Sequence, residues 1–147
     1  MLDLGIKTRK FMFLLTTIMR LSLVGFVYFL IKNEARRNTC FFVLRMVGVF
    51  MILLGLMEYT LFFTNRKKAF FGGPVWYKWY RLIHGTLYLM FAYFTLPLSP
   101  DSSKFRLSIP IMILLGDIAL RVLFFMLHYK YITPKLRLNI KKMKNDL

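Results

Sequence analysis

The chain has 147 residues, 58% of them hydrophobic and 18% aromatic, and its 22 Lys and Arg against 6 Asp and Glu give a formal net charge of +16. A soluble domain carries roughly 45–50% apolar residues, and so short a chain has too little interior to hide more. The composition therefore excludes a soluble globular domain and points to an integral membrane protein in a single transmembrane domain. The lone cysteine, Cys40, excludes a disulfide framework and reads as a small apolar packing residue near a helix end.

Four apolar runs have spanning length: Phe11–Ile31, Cys40–Phe63, about Val75–Leu96, and Leu107–Leu127. Each is near the ~20 residues that cross ~30 Å of hydrocarbon, and a helix satisfies every backbone donor and acceptor on the way. The first run follows Lys7, Arg9 and Lys10 but is interrupted by Arg20 and has no Ala-x-Ala-like site after it. It is expected to stay as a retained signal anchor. The joints Lys32–Thr39, Thr64–Pro74 and Pro97–Arg106 are short, so neighbouring helices are expected to run antiparallel. The expected fold is all-α: a four-helix, up-down integral membrane bundle.

Cations set the expected orientation. Lys7, Arg9 and Lys10, then Arg66, Lys67, Lys68 and Lys78, then the tail after Leu127 outnumber Lys32, Arg36, Arg37, Lys104 and Arg106. The positive-inside rule then puts both termini and the second joint on the cytosolic side. In the tail, residues 129–147, Leu136, Ile140, Met143 and Leu147 recur at helical spacing among Lys135, Arg137, Lys141, Lys142 and Lys144. That pattern suits a basic amphipathic helix on an anionic membrane surface, with a frayed basic tail as the plainer reading.

Between the second and third runs, Gly72 and Gly73 let the chain reverse and Pro74 suits a first helical position. Trp76, Tyr77, Trp79 and Tyr80 follow, an aromatic anchor expected at headgroup level, with Lys78 snorkelling to water. Arg66, Lys67 and Lys68, together with the tail cations, are the candidate contacts for a protein partner or for anionic lipid.

Six ionisable residues lie deeper: Arg20, Glu58, Arg81, His84, Asp117 and Arg121. Each costs at least roughly 2.5–3.5 kcal/mol at the centre of a lone helix, so each should have a partner or water. The expected pairing is Asp117 with Arg20 or Arg121, and Glu58 with Arg81 or Arg121, which leaves one cation over to reach a lipid phosphate. Arg81, His84, Tyr88 and Thr95 recur as one polar stripe that should face the bundle, while Arg45 sits near the outer surface. Gly48 and Gly55, a heptad apart, mark an expected close helix contact. Three readings of the charges stay open: a structural network that holds helix register, a proton or ion path using Glu58, His84 and Asp117, and an anion or headgroup site.

No catalytic constellation is legible. His84 and His128 stand about 13 Å apart in depth at ~1.5 Å per residue, which disfavours bis-His haem. No carboxylate–His cluster has metal spacing, no nucleophile has a base, and Gly72-Gly73-Pro74 lacks the Lys and Ser/Thr of a phosphate-cradling loop. No cofactor, metal or specific nucleic-acid partner is expected; self-association is compatible with the chain.

The stretch FFGGPVWYKWYRLIHGTLYLMFAYF, Phe70–Phe94, contains Gly72-Gly73-x-Val75-Trp76, Arg81-x-x-His84 and Leu87-Tyr88. It resembles a segment of small multi-span membrane proteins of large nucleocytoplasmic DNA viruses. The resemblance covers about 25 residues, and no functional residue carries over from it. It implies a location: a virion internal membrane derived from host endoplasmic reticulum, beneath an icosahedral capsid. There the basic segments would meet capsid proteins, and the chain would be a structural component and not an enzyme. A small ion, proton or solute transporter or channel component is the rival function.

Overall fold

The computed structural model describes residues 2–64 and 78–128, with side chains from residue 11 onward in the first stretch and from 79 in the second. They form four helices: α1 (Leu2–Lys32), α2 (Arg37–Phe63), α3 (Lys78–Thr95) and α4 (Lys104–Leu127). Three of them are long and apolar enough to cross a membrane: Phe11–Lys32, Arg37–Phe63 and Lys104–Leu127. The 18 described residues of α3 fall outside that group, because Lys78, Arg81 and His84 dilute its apolar content.

Three of the helices, α1, α2 and α4, start earlier than the apolar runs do. α1 already includes Lys7, Arg9 and Lys10, α2 begins at Arg37 instead of Cys40, and α4 begins at Lys104 instead of Leu107. Helical hydrogen bonding does not require apolar side chains, so polar residues extend each helix past the hydrocarbon-length segment. At the start of α4 the Ser103 hydroxyl accepts from the Arg106 backbone N–H at 3.4 Å, an N-cap at the long end of hydrogen bonding.

Each helix packs against its neighbours in a ring: α1 on α2 and α4, α3 on α2 and α4. Numbers rise along one partner as they fall along the other. Gly48 meets Leu96 and Gly55 meets Gly85 across α2 and α3. Phe13 stacks on Phe125 and Arg20 pairs with Asp117 across α1 and α4.

The α2–α3 seam is the tightest. A Cβ on Gly55 would lie 3.0 Å from Leu89 and 3.1 Å from the Gly85 carbonyl, and one on Gly85 would lie 3.0 Å from the Tyr59 ring. Small residues let two backbones approach in this way, and van der Waals contact then holds helices that lipid tails would otherwise solvate equally well. Gly48 has the same role one heptad earlier, with Leu96 at 3.3 Å from its Cβ position. Gly85 is the third member of this contact, opposite Gly55.

The apolar core lies towards the joints 33–36 and 96–103. Val27 and Leu30 of α1, Phe41, Leu44 and Met51 of α2, Phe91 and Ala92 of α3, Leu98 and Leu114 are buried there, and Cys40 packs among them. Two α2 arginines tie down the joint after α3: Arg45 donates to the Leu98 carbonyl at 3.1 Å, and Arg37 donates to the Pro100 carbonyl. Arg45 thus serves the end of α3 while remaining exposed. Large apolar side chains such as Phe29, Phe42, Leu53 and Met112 point outward along the helices, as a lipid-facing skin requires.

Candidate functional site

The other half of the molecule is polar inside. Arg81, His84, Tyr88 and Thr95 are all buried, so the stripe on α3 faces the neighbouring helices as its spacing predicts. Tyr80 belongs to the same stripe. It is 8% exposed, edge-on to the His84 ring at 4.1 Å and to Phe124 at 4.9 Å. This corrects its placement in a headgroup-level anchor: Tyr80 is one turn before His84 and two before Tyr88, and that face is covered. Trp79 does point outward, beside Phe62. Trp76 and Tyr77 lie outside the described residues, as do Arg66, Lys67, Lys68, Lys135, Arg137, Lys141, Lys142 and Lys144.

Asp117 is the centre of the site. It is 2% exposed, and its two carboxylate oxygens serve two helices at once. Oδ2 accepts from Arg20 Nη1 of α1, and Oδ1 pairs with His84 Nδ1 of α3. Arg20 Nη1 also lies 3.2 Å from His84 Nδ1, and its guanidinium stands 5.7 Å from the centroid of the Tyr88 ring. Three helices therefore meet at one carboxylate. With its proton on Nδ1, His84 donates to Asp117. Nε2 of that ring is buried without a hydrogen-bond partner.

Of the two arginines open to Asp117, Arg20 takes it. Arg121, one turn further along α4, turns to α1 instead, where its Nη2 donates to the Thr16 hydroxyl and its guanidinium lies 5.1 Å from the Phe13 ring centroid. Glu58 faces Arg81 across α2 and α3, with Oε2 3.9 Å from Nε, at the outer limit of an ion pair. Arg81 also donates from Nη1 to the Leu61 carbonyl at 3.2 Å. The side chains of Glu58 and Arg20 are 21% and 18% exposed, so the site is closed around Asp117 and more open on the α1 and α2 sides.

Sequence reasoning reached all six charged residues and missed two of their neighbours. Tyr80 was legible as i−4 from His84. Thr16, the acceptor for Arg121, stands one turn before Arg20 on the same helix, but nothing in a threonine by itself marks it as an arginine partner. Among the described residues no three His, Cys, Asp or Glu side chains gather into a metal-binding group.

Comparison of the chain with protein-family models, with curated proteins and with solved structures finds no match in any of the three.

Proposed function

We propose that this protein is a structural, multi-pass membrane component that ties a bilayer to an overlying protein layer. The reading makes α3 the third of four spans, arranged up-down, with both termini and the second joint on the cytosolic side. The observation that carries it is the Asp117 junction. A carboxylate held simultaneously by Arg20 and His84 locks α1, α3 and α4 in one register inside an apolar skin. A fixed guanidinium at that point also repels a permeant cation, which favours a scaffold over a cation path.

The anchoring partner is proposed from charge and resemblance. Basic segments at Arg66–Lys68 and along the tail suit acidic protein surfaces or anionic headgroups. The likeness of Phe70–Phe94 to small membrane proteins of large DNA viruses supplies the setting, a virion internal membrane under a capsid. Lysine cross-linking in the native membrane, read by mass spectrometry, tests this. Reproducible links from Lys67, Lys135, Lys141, Lys142 or Lys144 to one abundant protein support anchoring; links confined to the chain refute it.

A second reading rests on a different observation. His84 Nε2 is buried without a partner beside Asp117, and Glu58 is partly exposed. A transport role through these groups predicts proton or ion flux in reconstituted liposomes that Glu58→Gln abolishes. Liposomes no leakier than protein-free controls eliminate it.

A further inference from the structure

Arg121 is the member of the charge cluster left without a counter-charge. Arg20 gives its Nη1 to Asp117, and Arg81 has Glu58 and the Leu61 carbonyl. Among the described residues no carboxylate lies within ion-pair distance of Arg121. Its Nη2 donates to the Thr16 hydroxyl, but that hydroxyl already gives its own proton to the Met12 carbonyl at 2.7 Å, so it supplies only a neutral lone pair. Arg121 Nε is buried with no acceptor. Phe13, stacked on Phe125 with centroids 3.8 Å apart, lies against the guanidinium. A guanidinium between apolar helices with donors unspent calls for an anion.

Depth and charge say which anion. Arg121 stands six residues before the end of α4, about 9 Å at ~1.5 Å per residue. Thr16 stands five residues past Phe11, where the first candidate span begins, about 8 Å at the same rise. Both positions are thus within one long side chain of the same membrane surface, and arginine stems snorkel over that distance. The anions at that surface are lipid phosphates, and a guanidinium fork grips a phosphate bidentately. Three arginines against Glu58 and Asp117 leave one positive charge over, which a lipid of net charge −1 balances and a zwitterionic lipid does not.

We infer that the α1–α4 seam at Phe13, Thr16 and Arg121 binds the phosphate of one acidic phospholipid from the leaflet nearest the termini. This rests on the multi-span reading above. The Thr16 hydroxyl braces the guanidinium, and the remaining N–H groups take the phosphate oxygens.

The test is native mass spectrometry of the full chain in mild detergent, titrated separately with phosphatidylglycerol, phosphatidylcholine and inorganic phosphate. One phosphatidylglycerol should be retained with a preference of about tenfold over phosphatidylcholine, the size of a single charge-assisted contact. Arg121→Gln should erase that preference, while Lys104→Gln, at the opposite end of α4, should leave it intact. Equal binding of the two lipids by the wild type, or an undiminished preference in Arg121→Gln, overturns the proposal. Displacement of the lipid by millimolar inorganic phosphate would make the ligand a free anion and also overturn it. If Arg121→Gln does not stay monodisperse, Arg121→Lys keeps the charge and removes the fork; it should bind several-fold more weakly, and equality with wild type counts against the site. Glycosylation mapping checks the multi-span reading separately. Termini on opposite faces would refute that arrangement whatever the lipids do.

Discussion

The two halves of this molecule are held by different forces. Near the joints 33–36 and 96–103, Leu44, Met51, Phe91 and Leu98 pack as they would in a soluble core. Towards the other end, α1, α3 and α4 meet at Asp117 through Arg20 and His84. In water the apolar half would dominate, because burial removes surface from water. In a bilayer, lipid tails are as apolar as leucine, so the apolar half keeps only its packing and small-residue contacts. The polar half gains relative weight, since the alternative to each of its contacts is a charge in hydrocarbon. The few polar residues should therefore decide which helices neighbour which, and the many apolar ones should refine the fit.

That contrast is open to attack, and the hardest blow is Asp117→Ala. It strands the Arg20 guanidinium and the His84 ring together, and removing one partner of a buried pair costs about 3–5 kcal/mol. Thermal unfolding in detergent should show a large drop; an unchanged midpoint would mean that Asp117 does not hold the helices. Phe91→Ala probes the other half. A buried Phe→Ala change costs about 3–5 kcal/mol in a soluble core, of which only the packing share survives here, so about 2 kcal/mol is expected. If the Phe91 variant proves the less stable of the two, the ranking of the halves is reversed.

Two glycines refine the seam. Gly55→Ala places a methyl 3.1 Å from the Gly85 carbonyl, backbone that cannot swing aside, and should cost about 1–3 kcal/mol in the same melt. Gly116 has nothing within 4 Å of its Cβ position, so Gly116→Ala should be neutral or stabilise by about 0.5–1 kcal/mol through helix propensity. Equal melting of the two variants would argue against close α2–α3 contact. The smallest loss belongs to the exposed bond between the Tyr59 and Thr86 hydroxyls, 2.7 Å long. Tyr59→Phe should lose about 0.6 kcal/mol, the usual worth of such a bond in a membrane. A loss of several kcal/mol would mean that this bond shapes the seam as Asp117 shapes the centre.

Much of this architecture is written in local pattern. The apolar runs beginning at Phe11, Cys40 and Leu107 mark the three helices that can cross a bilayer, because hydrocarbon thickness sets a length that any chain must meet. The period of Arg81, His84, Tyr88 and Thr95 predicts a buried face, because helical geometry repeats side chains on one side whatever surrounds them. The cost of a charge in hydrocarbon predicts that Asp117 and Glu58 have partners.

Tertiary structure alone decided which partners those are. Asp117 takes Arg20 and not Arg121, and Arg121 turns to Thr16, because the offset of α1 against α4 sets Arg20 opposite Asp117 and Thr16, one turn earlier on α1, opposite Arg121. Tyr80 turns inward beside His84 while Trp79, one residue earlier, points outward, because the covered face of α3 continues one turn before His84. Gly85 joins Gly55 for the same kind of reason: a helix carries the small residue, but only its register against α2 brings the two together. Spacing determines which residues share a face; the rotation and offset of each helix, set by all its contacts at once, determine what that face meets.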